Sequence, residues 1–438
     1  MVYFTHGSHT SDSENGIVEM DILILSIATL IGLYMAANIG SNDLANAMGT
    51  SVGSGALSLN QAVVISIIAN AAGAVLAGSY VTNTISKGMI DPTLFSHSPN
   101  DLMLGMFASL LSAGIWVNIA TYFALPVSTT HSIVGAVIGF GLLSVGAGAI
   151  SWGKVISIAA SWVVSPVAGA VIAGVMFYML DRGIMRSNDP IEASERYAPF
   201  LIFLVVIVLI LSFIFKGLKN LHLHIGFIQT VLFSMPVAAV AGILGRKWIR
   251  GQMKPSSTPF FASKDSSPVD RFFSQLQVMT AFYVAFAHGA NDVANAVGPL
   301  AAIFSVVKTK AVALRVEVPL WMLLIGGIAV GGGLLVFGAR VMETIGKNIT
   351  EINPLRGFCA EFGAATTILI CSRLGLPIST THVLVGAVVG VGFMRGMGSV
   401  DLRVIRNIAY SWIITLPFTV LLCMILYKAL SFAMASIF

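Results

Sequence analysis

Long apolar runs almost free of charge constrain this chain more than any other feature of its sequence. Residues 21–38 (DILILSIATLIGLYMAAN), 199–215 (PFLIFLVVIVLILSFIF) and 321–339 (WMLLIGGIAVGGGLLVFGA) are of this kind. Each approaches the roughly 20 residues that a helix needs to cross a bilayer. Only 10% of the 438 residues are charged, against about 25% in soluble proteins. Because the alternating segments of a barrel are absent, the sequence predicts an all-α polytopic membrane protein.

The apolar runs predict about ten to twelve transmembrane segments, some of them half-spans or re-entrant hairpins. They lie near 22–38, 59–79, 103–123, 132–150, 155–179, 199–217, 227–245, 276–296, 318–338, 356–374, 383–394 and 405–436. A basic linker, 246–275, is predicted to be cytoplasmic by the positive-inside rule. Residues 1–21 lack Lys and Arg and are predicted to be an extracytoplasmic tail, with Met20 as an alternative start that leaves 1–19 disordered. The net charge of +5 is attributed to cytoplasmic loops, not to nucleic-acid binding.

The chain carries an internal duplication. Three anchors recur in the same order at offsets of 249 to 251 residues: SNDLANA at 41–47 and ANDVANA at 290–296, LPVSTTHSIVGAVIG at 125–139 and LPISTTHVLVGAVVG at 376–390, and Ser-Trp at 161–162 and 411–412. Such anchors predict two homologous halves. The first half with its connecting helices is placed at 22–245, and the second half at 276–438.

Charge asymmetry between equivalent loops predicts that the two halves are inverted-topology repeats. The stretch after the first Asp motif, GSGALSLNQ, is uncharged, whereas the matching stretch of the second half carries Lys308, Lys310 and Arg315. Equivalent loops that differ in this way are expected on opposite sides of the membrane. Inverted repeats are typical of transporters with a binding site at the midplane.

The duplicated Asp motif predicts a cation site. An aspartate inside a membrane costs roughly 3 kcal/mol unless it faces a cavity, a partner or a cation. Carboxylate and amide oxygens are the ligands of hard cations, so Na⁺, or a proton on the aspartate, is the expected occupant. The candidates are Asn42, Asp43, Asn46, Asn291, Asp292 and Asn295. Hydrogen bonding between helices is the alternative role for these residues.

Glycines around both Asp motifs, with Pro299, predict that the helix opens there and presents backbone carbonyls. Gly40 in the first copy and Gly289 in the second are the expected opening points.

The duplicated PxSTTH motif predicts a pair of half-helices that begin inside the membrane. Pro126 and Pro377 disfavour helix before them, and the Ser or Thr that follows is a natural N-cap. A helix N-terminus with neighbouring hydroxyls binds anions without a cationic side chain. Two such ends can converge on one small oxyanion; capping alone is the simpler alternative. The candidates are Ser128, Thr129, Thr130, Ser379, Thr380 and Thr381.

Three further polar residues stand out. His131 and His382 close the PxSTTH motifs and are expected to be neutral and hydrogen-bonded to a carbonyl near the kink, with a proton carrier or a ligand as the alternative role. Glu361 has no acidic counterpart in the first half and is a candidate for an additional cation ligand, a gate or a structural role. A multiply charged anion needs more positive charge than helix dipoles supply. Cations on the aspartates would provide it, and the resulting reciprocal coupling is what symport requires.

At these residues the chain resembles the inorganic phosphate transporter (PiT) family, through GSNDLANA at 40–47, GANDVANA at 289–296, both PxSTTH elements and TISKGMID at 84–91. The resemblance implies a Na⁺- or H⁺-coupled inorganic phosphate symporter of inverted repeats, homodimeric and multi-pass in the plasma membrane. It assigns the Asn and Asp residues to Na⁺ and the Ser and Thr residues to phosphate.

Several other functions remain open from the residues. A H⁺-coupled phosphate symporter or a sulfate or other oxyanion symporter is the nearest alternative, because hydroxyl and N–H donors do not distinguish these anions. A passive channel and an intramembrane aspartyl hydrolase, built on an aspartate dyad, are more remote. Duplication of the whole ligand set argues against an enzyme, since a dyad needs no doubled ligands.

Overall fold

The computed structural model describes residues 9–78, 89–214, 226–252, 261, 266–313, 316–373 and 378–435. In this part of the chain the fold is helical, with one isolated β-bridge between Ile90 and Ile150. The first helices are α1 (His9–Ile39), α2 (Ala45–Gly53), α3 (Leu59–Gly73), α4 (Pro99–Tyr122), α5 (Thr129–Ser144) and α6 (Trp152–Leu180). They are followed by α7 (Pro190–Ser212), α8 (Phe227–Gln252), α9 (Pro268–Thr309), α10 (Leu320–Glu343), α11 (Pro354–Arg373), α12 (Thr380–Arg395) and α13 (Leu402–Ala435).

Eight helices in the described residues are long and apolar enough to cross a membrane, or nine if a bent pair in α10 is one span. Two shorter apolar helices, α5 and α12, complete the set. The prediction of a polytopic α-helical membrane protein is confirmed, and within the described residues each predicted span overlaps a helix. Helix α1 already begins at His9, so residues 9–19 are helical and not the disordered tail that a start at Met20 would leave.

The two halves repeat the same order of elements. Helices α1 and α2 together are matched by α9, and α3 to α6 are matched by α10 to α13, with the 3₁₀ turns Ala147–Ala149 and Met397–Ser399 at equivalent places. A backbone hydrogen bond is also repeated: Ser151 N–H donates to the Met89 carbonyl at 2.9 Å, and Asp401 N–H donates to the Ile349 carbonyl at 3.0 Å. Helices α7 and α8 pack against each other between the two sets.

The backbone stays helical through both Asp motifs, so the predicted opening does not occur, although the first copy contains a wider turn. After α1 the chain makes a π-helical turn, Gly40–Leu44, before α2 begins. In the second half α9 runs unbroken through Gly289 and Pro299, so the prediction of an opened backbone there is wrong. Pro299 is tolerated because neighbouring helices bury this stretch of α9.

Close helix crossing is what both motif glycines permit. A Cβ atom on Gly40 would lie 1.8 Å from the Val330 carbonyl oxygen on α10, and one on Gly289 would lie 2.3 Å from the Asn70 carbonyl oxygen on α3. The contacts are reciprocal, because the helix that carries the Asp motif of the first half crosses α10, and the one that carries the Asp motif of the second half crosses α3. Small residues allow such backbone approach in membrane proteins.

The half-helices α5 and α12 also pack across the halves. A Cβ on Gly139 of α5 would meet the Val420 carbonyl of α13 at 2.3 Å, and one on Gly390 of α12 would meet the Ala170 carbonyl of α6 at 2.2 Å. Each half-helix is therefore held by the last long helix of the opposite half. This exchange brings the two PxSTTH motifs to the centre of the molecule.

Candidate functional site

The two motif aspartates meet in one buried cluster. Asp43 lies on the π-helical turn after α1, and Asp292 lies in the middle of α9. Their side chains and that of His288 can each offer one ligand atom, and these three atoms lie within 4.8 Å of one another. Asp43 is 4% exposed and Asp292 3% exposed. Two carboxylates so close and so deeply buried repel each other unless positive charge is shared between them.

Threonine hydroxyls from both half-helices converge on each carboxylate. Asp43 accepts hydrogen bonds from Thr129 and from Thr381, the latter at 2.6 Å. Asp292 accepts from Thr380 at 3.0 Å and from Thr130 at 3.4 Å. Each aspartate thus contacts the first threonine of the PxSTTH motif in its own half and the second threonine of that motif in the other half. All four hydroxyls therefore border a single carboxylate cluster.

The motif asparagines repeat this exchange between the halves. Asn46 Nδ2 donates to Thr381 Oγ1 at 3.0 Å, and Asn295 Nδ2 donates to Thr130 Oγ1 at 3.2 Å. The buried Oδ1 of Asn46 has no hydrogen-bond partner among the residues that the structure describes. A buried amide oxygen without a partner costs about 1–3 kcal/mol, and a cation beside Asp43 would supply the missing partner.

Ser128 and Ser379 are the N-caps of the half-helices, as the sequence predicts. Ser128 Oγ accepts from His131 N–H at 3.2 Å, and Ser379 Oγ accepts from His382 N–H at 3.3 Å. Each cap takes one of the four orphan N–H groups at a helix start. Helices α5 and α12 therefore begin at the threonines that contact Asp43 and Asp292.

His288 belongs to the cluster although its pattern was not recognised in the sequence. Its Nε2 lies 3.3 Å from Asp292 Oδ2, and its Nδ1 lies 2.9 Å from Asn70 Oδ1. Asn70 Nδ2 donates to the Ser66 carbonyl at 2.9 Å, so Asn70 Oδ1 faces the imidazole. Because this oxygen only accepts, His288 Nδ1 carries a proton, and in the neutral ring the Nε2 lone pair faces the carboxylate. A polar residue four positions before Asp292, on the same helical face, was the available signal.

Asn42 and Asn291 lie beside the cluster, in different surroundings. Asn42 Nδ2 donates to Thr121 Oγ1 at 2.9 Å and to the Leu125 carbonyl at 3.0 Å, and its Oδ1 accepts from Val127 N–H at 3.0 Å. These bonds fasten the connection between α4 and α5. Asn291 is only half-buried.

Glu361 forms a separate polar cluster. It is fully buried on α11, and its Oε1 accepts from Thr50 and Ser51 hydroxyls, each at 2.6 Å. Gln277 Nε2 donates to the same oxygen at 3.1 Å, and Thr280 Oγ1 donates to Oε2 at 2.8 Å. Three hydroxyl donors and one amide N–H donor thus surround this carboxylate, which joins α2 to α9 and α11.

His131 does not make the expected hydrogen bond to a carbonyl, because its ring nitrogens have no hydrogen-bond partner in the described part of the chain. The ring of His382 lies against the Trp162 backbone, which comes from α6 and not from the local kink. The rings instead form an aromatic stack: His131 lies 3.9 Å from Trp162, His382 lies 3.6 Å from Trp412, and the two imidazoles lie 4.6 Å apart between ring centroids. The prediction failed because it considered only the local kink, whereas the partners come from α6, α13 and the opposite half-helix.

The chain matches the phosphate transporter family over residues 39–423. A protein of Pyrococcus horikoshii named "Putative phosphate permease" is 42% identical over 92% of this chain and 97% of its own length. The chloroplastic inorganic phosphate transporter 2-1 of Arabidopsis thaliana is 41% identical over 94% of this chain and 74% of its length. A solved structure described as the sodium-dependent phosphate transporter is 40% identical, with a TM-score of 0.83 over 94% of this chain and 99% of that chain.

Proposed function

This chain belongs to the phosphate transporter family and is a multi-pass membrane transporter and not an enzyme, and we propose that it is a Na⁺-coupled symporter of inorganic phosphate. The observation that carries the proposal is that each aspartate accepts a hydrogen bond from one threonine of each half-helix. Because each carboxylate contacts both half-helices, a cation at either aspartate also orders the anion-binding end of both helices.

We assign one cation site to each aspartate. The first is formed by Asp43, Asn46, Thr129 and Thr381, and the second by Asp292, Asn295, Thr130 and Thr380. Carboxylate, amide and hydroxyl oxygens suit Na⁺, which needs no ligand-field geometry. The predicted ligands Asn42 and Asn291 are assigned here to shaping the site around these atoms.

Phosphate is proposed to bind at the N-termini of α5 and α12. HPO₄²⁻ beside two ionised aspartates would place four negative charges in one buried space. Two Na⁺ ions reduce this excess, and the half-helix ends supply positive partial charge. Phosphate affinity then rises with Na⁺ occupancy, and the reverse holds by linkage.

Two observations support an inverted orientation of the halves. Lys310, at the end of α9, pairs with Asp21 near the start of α1 at 2.7 Å. Since α9 is long enough to cross the membrane once, α1 and α9 run in opposite directions. At equivalent places the second half carries Arg356, Arg395, Arg403 and Arg406, where the first half has only Lys154. These arginines favour a cytoplasmic location for the start of α11 and the end of α12.

Lys308 and Lys310 lie at the opposite end of α9 from the basic linker. If the linker is cytoplasmic, these lysines are therefore outside. The number of lysines and arginines just after the Asp motif therefore does not decide which half faces the cytoplasm at that point.

We propose that Glu361 is a further cation site or gate. Its four oxygen-bearing neighbours could exchange their hydrogen bonds for a shared ion, and Thr50 and Ser51 lie on the helix that follows Asp43. Assembly as a homodimer in the plasma membrane remains a prediction from the resemblance.

The test is uptake of radiolabelled phosphate into proteoliposomes, with Na⁺ and pH gradients varied independently and sulfate added as competitor. We expect uphill uptake in Na⁺ buffer, little in choline buffer, and weak competition by sulfate. Equal uptake in Na⁺ and choline buffers would contradict Na⁺ coupling, and equal competition by sulfate would contradict selectivity for phosphate.

The His288–Asp292 pair favours H⁺ coupling as the second candidate. A proton on Asp292 would be donated to the Nε2 lone pair and would remove the charge repulsion at that site. Uptake in choline buffer that follows the pH gradient would identify this mechanism.

A further inference from the structure

Arg340 is a cationic side chain that neither the cation sites nor the proposed phosphate site uses. It lies on the last turn of α10 and is exposed. Its Nη1 donates to the Tyr122 carbonyl at 3.1 Å, and its Cζ lies 5.1 Å from the centroid of the Tyr122 ring. Arg340 takes part in none of the ion pairs found among the described residues. Most of the five N–H donors of the guanidinium are therefore available.

The position of Arg340 relates it directly to the substrate motif. Tyr122 ends α4, and six residues later Ser128 caps α5. Thr344 Oγ1, one turn beyond Arg340, donates to the Ala124 carbonyl at 3.0 Å, while Asn42 donates to the Leu125 carbonyl. The short connection from α4 to α5 is therefore fixed to α10 at one end and to the Asp43 turn at the other.

This end of the connection faces out of the protein. Tyr122 is 58% exposed and Phe123 is 65% exposed, whereas Ser128 and Thr129 are buried. The chain thus passes within seven residues from an exposed, arginine-bearing surface to the buried hydroxyls of the proposed phosphate site.

An arginine without a carboxylate partner beside apolar spans is costly, and a guanidinium fork matches two oxygens of a phosphate group. We propose that Arg340 forms an additional phosphate-group site, which receives the ion as it passes between the buried site and the water phase. This inference rests on the proposed function. The phosphate group belongs either to the transported ion or to a phospholipid headgroup.

Arg340 would act on access and not on coupling. A fixed positive charge beside the connection raises the local phosphate concentration and the rate of association. Removing it should weaken apparent phosphate affinity on one side of the membrane, while the dependence on Na⁺ and uphill accumulation persist. Arg340→Lys keeps the charge but loses the fork, so its effect should be smaller.

The test is phosphate counterflow in proteoliposomes, with phosphate varied on each side in turn. Arg340→Gln should raise the half-saturating phosphate concentration about threefold or more on one side, which corresponds to about 0.6 kcal/mol or more. Arg340→Lys should lie between this variant and the wild type. Arg403→Gln is the matched control, because Arg403 is an exposed arginine at the start of another spanning helix, α13.

Vesicles of zwitterionic lipid and vesicles with added anionic phospholipid separate the two sources of phosphate. A defect of Arg340→Gln in zwitterionic vesicles assigns the site to the free ion, and a defect that needs anionic lipid assigns it to a headgroup. Identical curves for Arg340→Gln, Arg403→Gln and the wild type in both lipids would overturn the proposal. Absence of wild-type phosphate counterflow would instead contradict the proposed function.

Discussion

Asp43 and Asp292 occupy equivalent places in the two halves, yet their surroundings differ. Both accept from one threonine of each half-helix. Asp43 sits on a π-helical turn and makes the shorter contacts, whereas Asp292 sits in a regular helix beside His288. The positions equivalent to His288 and Asn70 are the apolar Ile39 and Val330. Duplication has therefore kept the proposed ligands and changed the residues behind them, so the two proposed cation sites are not expected to have equal affinity.

Removing either carboxylate should have the largest effect. Asp43→Asn and Asp292→Asn keep the shape but leave a cation without its charge partner, which costs about 2–5 kcal/mol when the pair is buried. We expect Na⁺-dependent phosphate uptake to fall at least 30-fold in both variants. Glu317→Gln, at an exposed acid, is the control and should transport normally. Wild-type Na⁺ activation in one of the two variants would show that this aspartate is not a ligand and that the sites are more unequal than proposed.

The reciprocal glycine contacts should respond alike in the two halves. Gly40→Ala and Gly289→Ala each place a methyl group against a backbone carbonyl of α10 or α3, and overpacking of this kind costs about 1–3 kcal/mol. Both variants should lower the thermal unfolding midpoint in detergent. Gly148→Ala meets no atom within 4 Å and should leave it unchanged. A loss confined to Gly40→Ala would mean that the π-helical turn, and not the helix crossing, requires glycine.

His288 should distinguish the two sites with the smallest effect. His288→Ala removes the Nε2 lone pair that could ligate a cation at Asp292 and leaves the contacts of Asp43 intact, so the half-saturating Na⁺ concentration should rise about three- to tenfold, which corresponds to about 0.6–1.4 kcal/mol. Asn70→Ala should produce part of this shift, and the double variant should be less than additive, because the two side chains act as one unit. Additive effects would indicate that Asn70 does not orient the ring.

Asymmetry also marks the second polar cluster. Glu361 is surrounded by Thr50, Ser51, Gln277 and Thr280, whereas its equivalent in the first half is the apolar Leu110. The sequence identified Glu361 as unmatched, but its partners come from α2 and α9 and could not be inferred from local spacing. The same limitation applied to His131 and His382, whose neighbours are the repeated tryptophans of α6 and α13.

The sequence by itself determined that the chain lies in a membrane, that its fold is helical, that it contains a duplication, and which residues form its polar motifs. Long uncharged runs leave only helices as spanning structures. Two copies of NDxANA and PxSTTH identify the polar residues that stand out, because polar residues are otherwise rare inside a membrane. The N-caps at Ser128 and Ser379 were likewise predictable, because capping is a local property of the chain.

Only the tertiary structure decided which copies meet. Periodicity and spacing describe neighbours along one helix, whereas the threonine pairs at Asp43 and Asp292, the glycine crossings and the Asn70–His288 contact join residues from different halves. The tertiary structure also decided that Gly289 serves close packing and not an opened helix. The physical reason is that most of α9, including Gly289, is buried, and a carbonyl of α3 occupies the space that a side chain at Gly289 would need.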